Sequence, residues 1–398
     1  MKRSLMSIAN QMHAVNPDSR FAFELWDGET VMYGKEPEVT LRFRSKEGAR
    51  ELLRKGFLGF GESYMAGELE VEGNLQELLR LGFSIEFDKN SLSYGEKMRF
   101  LLHRLNTRNT MRRVKHNISH HYDLGDDFYA LFLDKTMTYS CAYYNTETDS
   151  LGQAQVNKYE HICRKLAVKP GEKLLDIGCG WGGMLIYAAQ NYGISGLGNT
   201  LSRNQFEGVK RRIEELGLNH KIEVVLADYR EIEGQFDKFI SIGMFEHVGK
   251  AFIPVYMRAV SNLLKKGGIG LLHTIGKDAE SRSDGWILKY IFPGGYIPNL
   301  AEIVNEMGRA GFSVVDVENL RFHYGRTLDH WAERYEKNVD KVRNMFDEPF
   351  VRMWRLFLNA SSAGFKHGSS RLYQILFSNG LNNELPLTRK HLYQDAYQ

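Results

Sequence analysis

The sequence predicts an α/β protein in which a smaller α+β domain precedes an open, mostly parallel sheet. From residue 153 onward, short apolar runs alternate with helical segments, as they do where crossover helices join parallel strands. Before residue 96, strand-like and helical patterns are mixed over short distances. The chain has 398 residues, 43% of them hydrophobic, so it is long enough for two domains at roughly 100–200 residues each.

The elements follow in chain order. Residues 1–95 contain two strand-like runs, FAFELWDG and VTLRFRS, and two helical runs, KEGARELLRKG and NLQELLRLGF, and we assign them to the N-terminal α+β domain. Residues 96–119 are predicted to be a basic linker and residues 120–398 the second domain. There the helix QAQVNKYEHICRKLAV leads into the strand KLLDIG, and five more strands are predicted: ISGLGNT, IEVVLAD, FDKFISIG, GGIGLLHTIG and SVVDVENL.

The linker region is strongly basic. Residues 96–117 carry one acidic residue and seven basic ones, namely Lys97, Arg99, Arg104, Arg108, Arg112, Arg113 and Lys115, with apolar residues among them. Such a stretch attracts anionic surfaces, including phospholipid headgroups. A solvated helix between two domains explains the same pattern equally well.

Composition excludes several classes of function. Lys and Arg number 52 against 49 Asp and Glu, a net charge of +3, so no global charge argument favours nucleic acid. Three cysteines without CxxC spacing suggest neither a zinc site nor disulfides and fit a reducing cytoplasm. His116, His120 and His121 lack supporting carboxylates or cysteines, so we expect no metal. No apolar run approaches the ~18 residues of a membrane span.

The motif LLDIGCGWGG (174–183) predicts the cofactor. A strand ends at Asp176, and Gly178, Gly180 and Gly182 follow before a helix. Glycines let the chain turn tightly and let a ligand approach the backbone. The spacing differs from the GxGxxG of NAD and FAD sites, whereas an acid before the first glycine marks the S-adenosylmethionine (SAM) loop. We therefore predict SAM and a Rossmann-like class I methyltransferase sheet of seven strands.

The second strand departs from the usual methyltransferase pattern. It ends in Asn199 rather than in a carboxylate for the ribose hydroxyls, and the segment TLSRNQ offers a hydroxyl and an amide instead. The segment ADYRE supplies side chains for the adenine region. The residues assigned to the cofactor on these grounds are Thr200, Leu201, Gln205, Asp228 and Tyr229.

Seven ordered motifs give a more specific resemblance. They are HHYDLGDDFYALFLDKTMTYSCAYY, LLDIGCGWGG, TLSRNQ, MFEHVG, LLHTIG, YIFPGGYIP and HYGRTLDHW. Over about residues 115–380 the chain resembles the cyclopropane-fatty-acyl-phospholipid synthase family and its mycolic acid cyclopropane synthase relatives. The N-terminal domain resembles the additional domain of the phospholipid-acting bacterial branch, which implies an association with lipid.

This resemblance implies roles for particular residues. The segment MTYSCAYY (137–144) would fold over the cofactor as part of a lid, with Tyr139 and Ser140 contacting SAM. A bicarbonate ion would be held by groups that match the Cys141 backbone, Glu246, His273, the Ile275 backbone and Tyr324. The family often has a cysteine where this chain has Ser361; alkylation does not require it, so we interpret the change as tolerated.

The implied reaction is methyl transfer from SAM to the cis double bond of an unsaturated phospholipid acyl chain. A carbocation would form, and bicarbonate would remove a proton so that a cyclopropane ring closes. The site must therefore exclude water and place a base beside the new methyl group. The resemblance also implies a homodimer. We expect a cytoplasmic protein that binds the inner face of the membrane peripherally, through the basic stretch and the N-terminal domain.

Other interpretations remain open at this stage. The product could be a methyl-branched or methylene chain, the acceptor could be an oxygen or nitrogen atom of a small molecule, or the chain could bind lipid without catalysis. Cys141 could be a small buried residue rather than a nucleophile. His273 could be a satisfied core histidine, and Glu246 could cap the helix that follows it.

Overall fold

The computed structural model describes residues 1–85, 124–280 and 284–393, which form two compact units. Unit 1 contains the described residues within Met1–Asn106, Arg282–Pro293 and Leu328–Ser369. Unit 2 contains those within Thr107–Ser281, Gly294–Thr327 and Ser370–Gln398. The predicted linker at 96–119 and the histidines His116, His120 and His121 lie outside the described residues, and the division at 1–95 and 120–398 stays a prediction.

Unit 1 has a four-stranded sheet with the order β2-β1-β3-β4. Its strands are β1 (Phe21–Glu24), β2 (Thr30–Tyr33), β3 (Val39–Phe43) and β4 (Leu69–Gly73). Strand β3 runs parallel to β1 and antiparallel to β4. Alternate residues of β3 are buried, as expected for a strand with one face on a core.

Helices complete unit 1. They are Lys2–Val15, Lys46–Lys55, Phe57–Met65, Leu75–Ser84, Gly285–Tyr290, Val339–Met345 and Glu348–His367, with the part of Arg321–Lys337 that follows Thr327. Ser45 and Asn74 cap two of them by accepting hydrogen bonds from the Gly48 and Glu77 amides. Ser361 lies in the helix Glu348–His367 and is half-buried.

Unit 2 has a seven-stranded sheet with the order β10-β11-β9-β8-β5-β6-β7. Its strands are β5 (Lys173–Ile177), β6 (Ser195–Thr200), β7 (Ile222–Leu226), β8 (Phe236–Ile242), β9 (Leu264–Gly276), β10 (Phe312–Asn319) and β11 (Arg371–Asn379). Strands β5 to β9 are parallel, and β11 is antiparallel to both β9 and β10. The predicted fold class, a mostly parallel Rossmann-like sheet together with a smaller α+β unit, is confirmed.

Helices flank this sheet, and two hydrophobic clusters form the core of unit 2. The helices are Asp126–Ala130, Leu151–Lys165, Gly183–Tyr192, Arg203–Glu215, Ile253–Leu263, Leu300–Arg309, Arg321–Lys337 up to Thr327, and Lys390–Tyr393, with short 3-10 turns at Tyr229–Glu231, Phe245–His247 and Lys250–Phe252. Leu174 belongs to one cluster and Leu175 to the other, because neighbouring strand residues point to opposite faces.

The chain order places a cleft in unit 2. From β5 the chain continues to β6 and β7 on one side, and β8 and β9 then fill the other side. Ligands of open α/β sheets bind beyond the carboxyl ends of the strands where the order reverses in this way. In the described part of the chain, no helix combines the length and hydropathy needed to span a membrane.

Candidate active site

The glycine loop after β5 has a conformation that its glycines make possible. Gly178, Gly180 and Gly182 have φ angles of 84°, 55° and 77°, in the left-handed region that other residues rarely adopt. A Cβ atom on Gly178 would lie 2.7 Å from Met244, and one on Gly182 would lie 2.8 Å from Val209. Both the backbone angle and the available space therefore require glycine at these two positions.

This loop forms one wall of a pocket in unit 2 of about 1080 Å³, counting the solvent at its mouth. Every residue predicted to bind the cofactor lines the pocket except Gly182, which instead begins the helix Gly183–Tyr192. The lining members are Tyr139, Ser140, Asp176, Gly178, Gly180, Thr200, Leu201, Gln205, Asp228 and Tyr229. The pocket lies at the carboxyl ends of the strands, where open α/β sheets bind their ligands.

Asp176 is a buried carboxylate that lacks a full set of partners. Its side chain is 2% exposed, and its Oδ1 atom accepts no hydrogen bond. Burial raises the pKa of this carboxyl group to about 7, although the Lys158 charge opposes the shift. A buried acceptor without a partner is costly unless a ligand satisfies it. The α-ammonium group of SAM has the charge and the donors that fit it.

The helix Leu151–Lys165 holds the segment that precedes the glycine loop. Gln155 donates to the Ser140 carbonyl at 2.9 Å, and Lys158 donates to the Ser140 hydroxyl at 2.9 Å. The hydroxyl groups of Thr138 and Tyr159 are also hydrogen-bonded to each other. The segment is therefore a built wall of the pocket. Sequence reasoning missed Gln155 and Lys158, although their spacing of three residues, which places both on one face of the helix, was a usable signal.

The opposite side of the pocket carries the residues that follow β6 and β7. Thr200 donates through Oγ1 to the side-chain oxygen of Gln205 at 2.7 Å, which leaves the Gln205 amide nitrogen as a donor. Both Asp228 oxygens accept from Arg230, at 2.6 and 2.7 Å. Asp228 thus lines the pocket with its charge already paired, while the buried Tyr229 ring packs edge-on against Tyr256.

Glu246 and Ile275 are in direct contact. The Ile275 amide donates to Glu246 Oε1 at 2.5 Å, while Glu246 Oε2 is buried and accepts no hydrogen bond. Burial raises the pKa of Glu246 to about 7. Glu246 does not cap the helix that follows it, because the helix Ile253–Leu263 begins after Phe252 without a side-chain cap.

His273 lies two residues before Ile275 on β9, so both side chains point to the same face of the sheet. The ring is 1% exposed, and its Nδ1 lies 3.2 Å from the amide nitrogen of Gln374. Its Nε2 is buried without a hydrogen-bond partner. Burial lowers the pKa of the imidazole well below its usual value, so His273 is neutral. Only one of its two ring nitrogens has a hydrogen-bond partner.

Cys141 and Tyr324 are connected through a third residue. Cys141 is fully buried, and burial raises the pKa of its thiol, which is the opposite of what a nucleophilic cysteine needs. The next amide, that of Ala142, donates to Thr327 Oγ1 at 3.0 Å. Thr327 follows the half-buried Tyr324 by three residues on the helix Arg321–Lys337. This bond brings the Cys141 backbone to the helix that carries Tyr324.

Comparison with known proteins gives two family matches. Residues 109–375 match the model of the mycolic acid cyclopropane synthetase family, and residues 9–92 match a domain of unknown function. The chain is 36% identical over 383 residues to a "Probable fatty acid methyltransferase" of Pseudomonas putida, covering 93% of this chain and 95% of that protein. It is also 36% identical over 374 residues to the cyclopropane-fatty-acyl-phospholipid synthase of Escherichia coli, covering 93% and 96% of the two chains.

A solved structure is similar as well. The mycolic acid cyclopropane synthase CmaA1 complexed with SAH and CTAB matches with a TM-score of 0.63 and 32% identity, covering 66% of this chain and 98% of that chain. These matches confirm the resemblance that the ordered motifs indicated. The chain therefore belongs to the family of the cyclopropane-fatty-acyl-phospholipid and mycolic acid cyclopropane synthases and is a SAM-dependent methyltransferase.

Proposed function

We propose that this enzyme transfers the methyl carbon of SAM to the cis double bond of an unsaturated phospholipid acyl chain and forms a cyclopropane. The similarity to the Escherichia coli enzyme over 93% of this chain supports the substrate class. The observation that carries the proposed chemistry is a pair of buried atoms without partners, Glu246 Oε2 and His273 Nε2. Isolated buried polar atoms in an enzyme core favour a small polar ligand.

Bicarbonate has the donor and acceptor groups that would satisfy both atoms. The Gln374 amide nitrogen faces His273 Nδ1, so Nδ1 is the acceptor and Nε2 carries the proton that an anion would accept. Glu246 Oε2 is an acceptor for the hydroxyl group of bicarbonate. The backbone at Cys141 and the Tyr324 hydroxyl are proposed to complete this site. Ile275 contributes by holding Glu246 in place through its amide.

The residues of this chain then have distinct tasks in the proposed reaction. SAM supplies an electrophilic methyl carbon, and bicarbonate supplies a base that takes a proton from the carbocation on the acyl chain. Asp176 binds the ammonium end of the cofactor, while Tyr139 and Ser140 cover it. Glu246 and His273, both buried, orient the base away from water. Water must be excluded because it would trap the carbocation as an alcohol.

The test is to incubate the purified protein with isotope-labelled SAM and liposomes that contain cis-unsaturated phospholipid. Acyl chains are analysed by mass spectrometry and proton NMR, because cyclopropane and methylene products have the same mass. Label in a ring methylene, with upfield cyclopropane protons, is the expected result. If the protein binds SAM but the acyl chains carry no label, the proposal is contradicted and a heteroatom acceptor is favoured.

A fatty-acyl methyltransferase that makes methyl-branched or methylene chains is the second candidate. The similarity to the "Probable fatty acid methyltransferase" of Pseudomonas putida, equal in identity to that of the synthase, favours it. The same NMR spectra separate the two candidates, because a methyl branch or a methylene branch on the acyl chain gives no upfield cyclopropane signals.

We further propose that the enzyme acts in the cytoplasm as a homodimer that binds the inner face of the membrane. The basic side chains at Arg104, Arg108, Arg112 and Arg113 support membrane binding on grounds of charge. Replacing all four with Ala is expected to weaken binding to anionic liposomes and to reduce its dependence on salt. Binding that does not change would remove this route to the membrane.

A further inference from the structure

Lys158 is a buried cation in the wall of the cofactor pocket, and the reaction described above does not use it. It lies within the helix Leu151–Lys165, its side chain is 0% exposed, and it lines the pocket. Its ammonium group donates to Ser140 Oγ at 2.9 Å and lies 4.9 Å from the centre of the Tyr159 ring. A buried charge is costly unless an opposite charge balances it.

A second buried lysine on the same helix shows the usual arrangement. Lys165 is 1% exposed and forms an ion pair with Glu318 at 2.5 Å. Among the residues that the structure describes, Lys158 forms no ion pair with a carboxylate. Lys165 has the contacts of a structural lysine, whereas Lys158 faces a pocket that holds a ligand in the working enzyme.

Lys158 interacts electrostatically with four titratable groups, of which two are carboxylates. They are Asp134, Cys141, Asp176 and His273. Asp134 already accepts hydrogen bonds from the Thr136 amide, the Thr136 hydroxyl and the Thr138 amide. Burial keeps the Cys141 thiol and the His273 imidazole uncharged. Of the two carboxylates, Asp176 is the one that lines the cofactor pocket and has an oxygen without a partner.

We propose that Lys158 is a positioning residue of the cofactor site: its ammonium group holds Ser140 in the pocket wall and supplies the positive charge that balances Asp176. It thereby keeps a carboxylate available for the ammonium end of SAM. This inference rests on the placement of SAM in the pocket, which is part of the proposed function. Lys158 acts through Ser140 and Asp176, and no step of methyl transfer is assigned to it.

Electrostatics predicts how loss of Lys158 would change cofactor binding. The pKa of Asp176 is already raised to about 7 by burial, and the Lys158 charge is the effect that lowers it. Without that charge the pKa of Asp176 rises further, so a larger fraction is protonated at pH 7 and cannot attract an ammonium group. Burial also lowers the pKa of Lys158 to about 7, so its charge matters most near and below neutral pH.

The experiment measures SAM affinity by isothermal titration calorimetry between pH 6 and pH 9 for the wild type, Lys158→Met and Lys165→Met. Lys158→Met is expected to weaken binding about fivefold at pH 7, which corresponds to a rise of one pH unit in a pKa of about 7 for Asp176. The weakening should become much smaller towards pH 9, where Lys158 is uncharged in the wild type and only its contact with Ser140 is lost. Lys165→Met is the matched control, expected to lower the melting temperature without moving the pH profile of binding.

Two results would overturn the inference. One is wild-type affinity of Lys158→Met at pH 7, and the other is a weakening by the same factor at every pH, which is what a purely structural role produces. The double variant Lys158→Met/Asp176→Asn removes both charges and covers the case in which the single variant does not fold. It is expected to bind SAM no more weakly than Asp176→Asn alone, and a further tenfold loss would equally contradict the inference.

This test is independent of the reaction product. SAM affinity is measured on the protein without lipid, whereas the proposed function is tested by labelling of acyl chains. If the pH profile of SAM binding is unaltered in the Lys158 variant, the proposed role of Lys158 is wrong and the proposed reaction is unaffected. Unlabelled acyl chains with a shifted pH profile would leave the role of Lys158 intact and change the acceptor.

Discussion

Asp176→Asn is expected to stabilise the protein in the absence of ligand while it impairs cofactor binding. Asp176 is buried, and its pKa is raised from 3.8 to about 7. An acid whose pKa is higher in the folded state contributes stability that is fully present below its unfolded pKa and is lost as the pH rises through the folded value. Wild-type stability should therefore fall between about pH 4 and pH 7 because of this group.

The pKa difference sets the size of the effect. At about 1.4 kcal/mol per pH unit, the change from 3.8 to about 7 corresponds to at most about 4 kcal/mol at pH 8. The pKa of about 7 already includes the effect of the Lys158 charge, which lowers it. We expect Asp176→Asn to be about 1–3 kcal/mol more stable than the wild type at pH 8 and nearly equal to it at pH 4.

The measurement is urea unfolding of the ligand-free protein, followed by circular dichroism at pH 4, 6 and 8. Asp237→Asn, on β8, is the matched control. Partial burial tends to raise the pKa of Asp237, but hydrogen bonds from Lys265 and the Lys173 amide outweigh this effect, so the pKa is lowered. That control should lose more stability at pH 8 than at pH 4. Calorimetry should show that Asp176→Asn binds SAM at least tenfold more weakly. A variant less stable than wild type by the same amount at every pH would refute the reasoning.

Three further changes test other parts of the molecule. Glu246→Gln keeps an acceptor for the Ile275 amide but removes the charge, so acyl labelling should fall at least 100-fold while SAM affinity, measured by calorimetry, stays within about twofold. Thr327→Val leaves the buried Ala142 amide without its acceptor, so urea unfolding should show that the free energy of unfolding falls by about 1–3 kcal/mol. Thr327→Ser keeps the hydroxyl group, and a similar fall in that variant would argue against this bond as the cause. Gly61→Ala places a methyl group against the buried Trp286 indole and should lower the free energy of unfolding by about 1–3 kcal/mol. Gly82→Ala, the control, adds its methyl group in open space on a helix and should raise the free energy of unfolding by up to about 1 kcal/mol.

Much of the fold followed from local patterns. The runs KLLDIG, ISGLGNT, IEVVLAD, FDKFISIG, GGIGLLHTIG and SVVDVENL each coincide with a strand of the sheet in unit 2. The remaining strand, Arg371–Asn379, was not identified from its sequence. It follows a long helix and joins the sheet in the antiparallel direction, so the rule of alternating strands and helices did not apply to it.

The make-up of unit 1 was equally hard to foresee. The structure places residues 284–293 and 328–369 in the same compact unit as the N-terminal residues. Trp286 packs edge-on against Phe57 at 6.0 Å, a contact between residues more than 200 positions apart in the chain. Periodicity identifies an apolar face but not the face that covers it.

The sequence by itself determined the class of sheet, the glycine loop with Asp176 and, through ordered motifs, the family. These features are local, because strand period, left-handed glycine angles and motif order depend on neighbouring residues. Only the tertiary structure decided that Ile275 holds Glu246 and that Lys158 lines the same pocket as Asp176. Burial and charge depend on groups that the fold brings together from distant parts of the chain, and these determine what a carboxylate or a lysine can do.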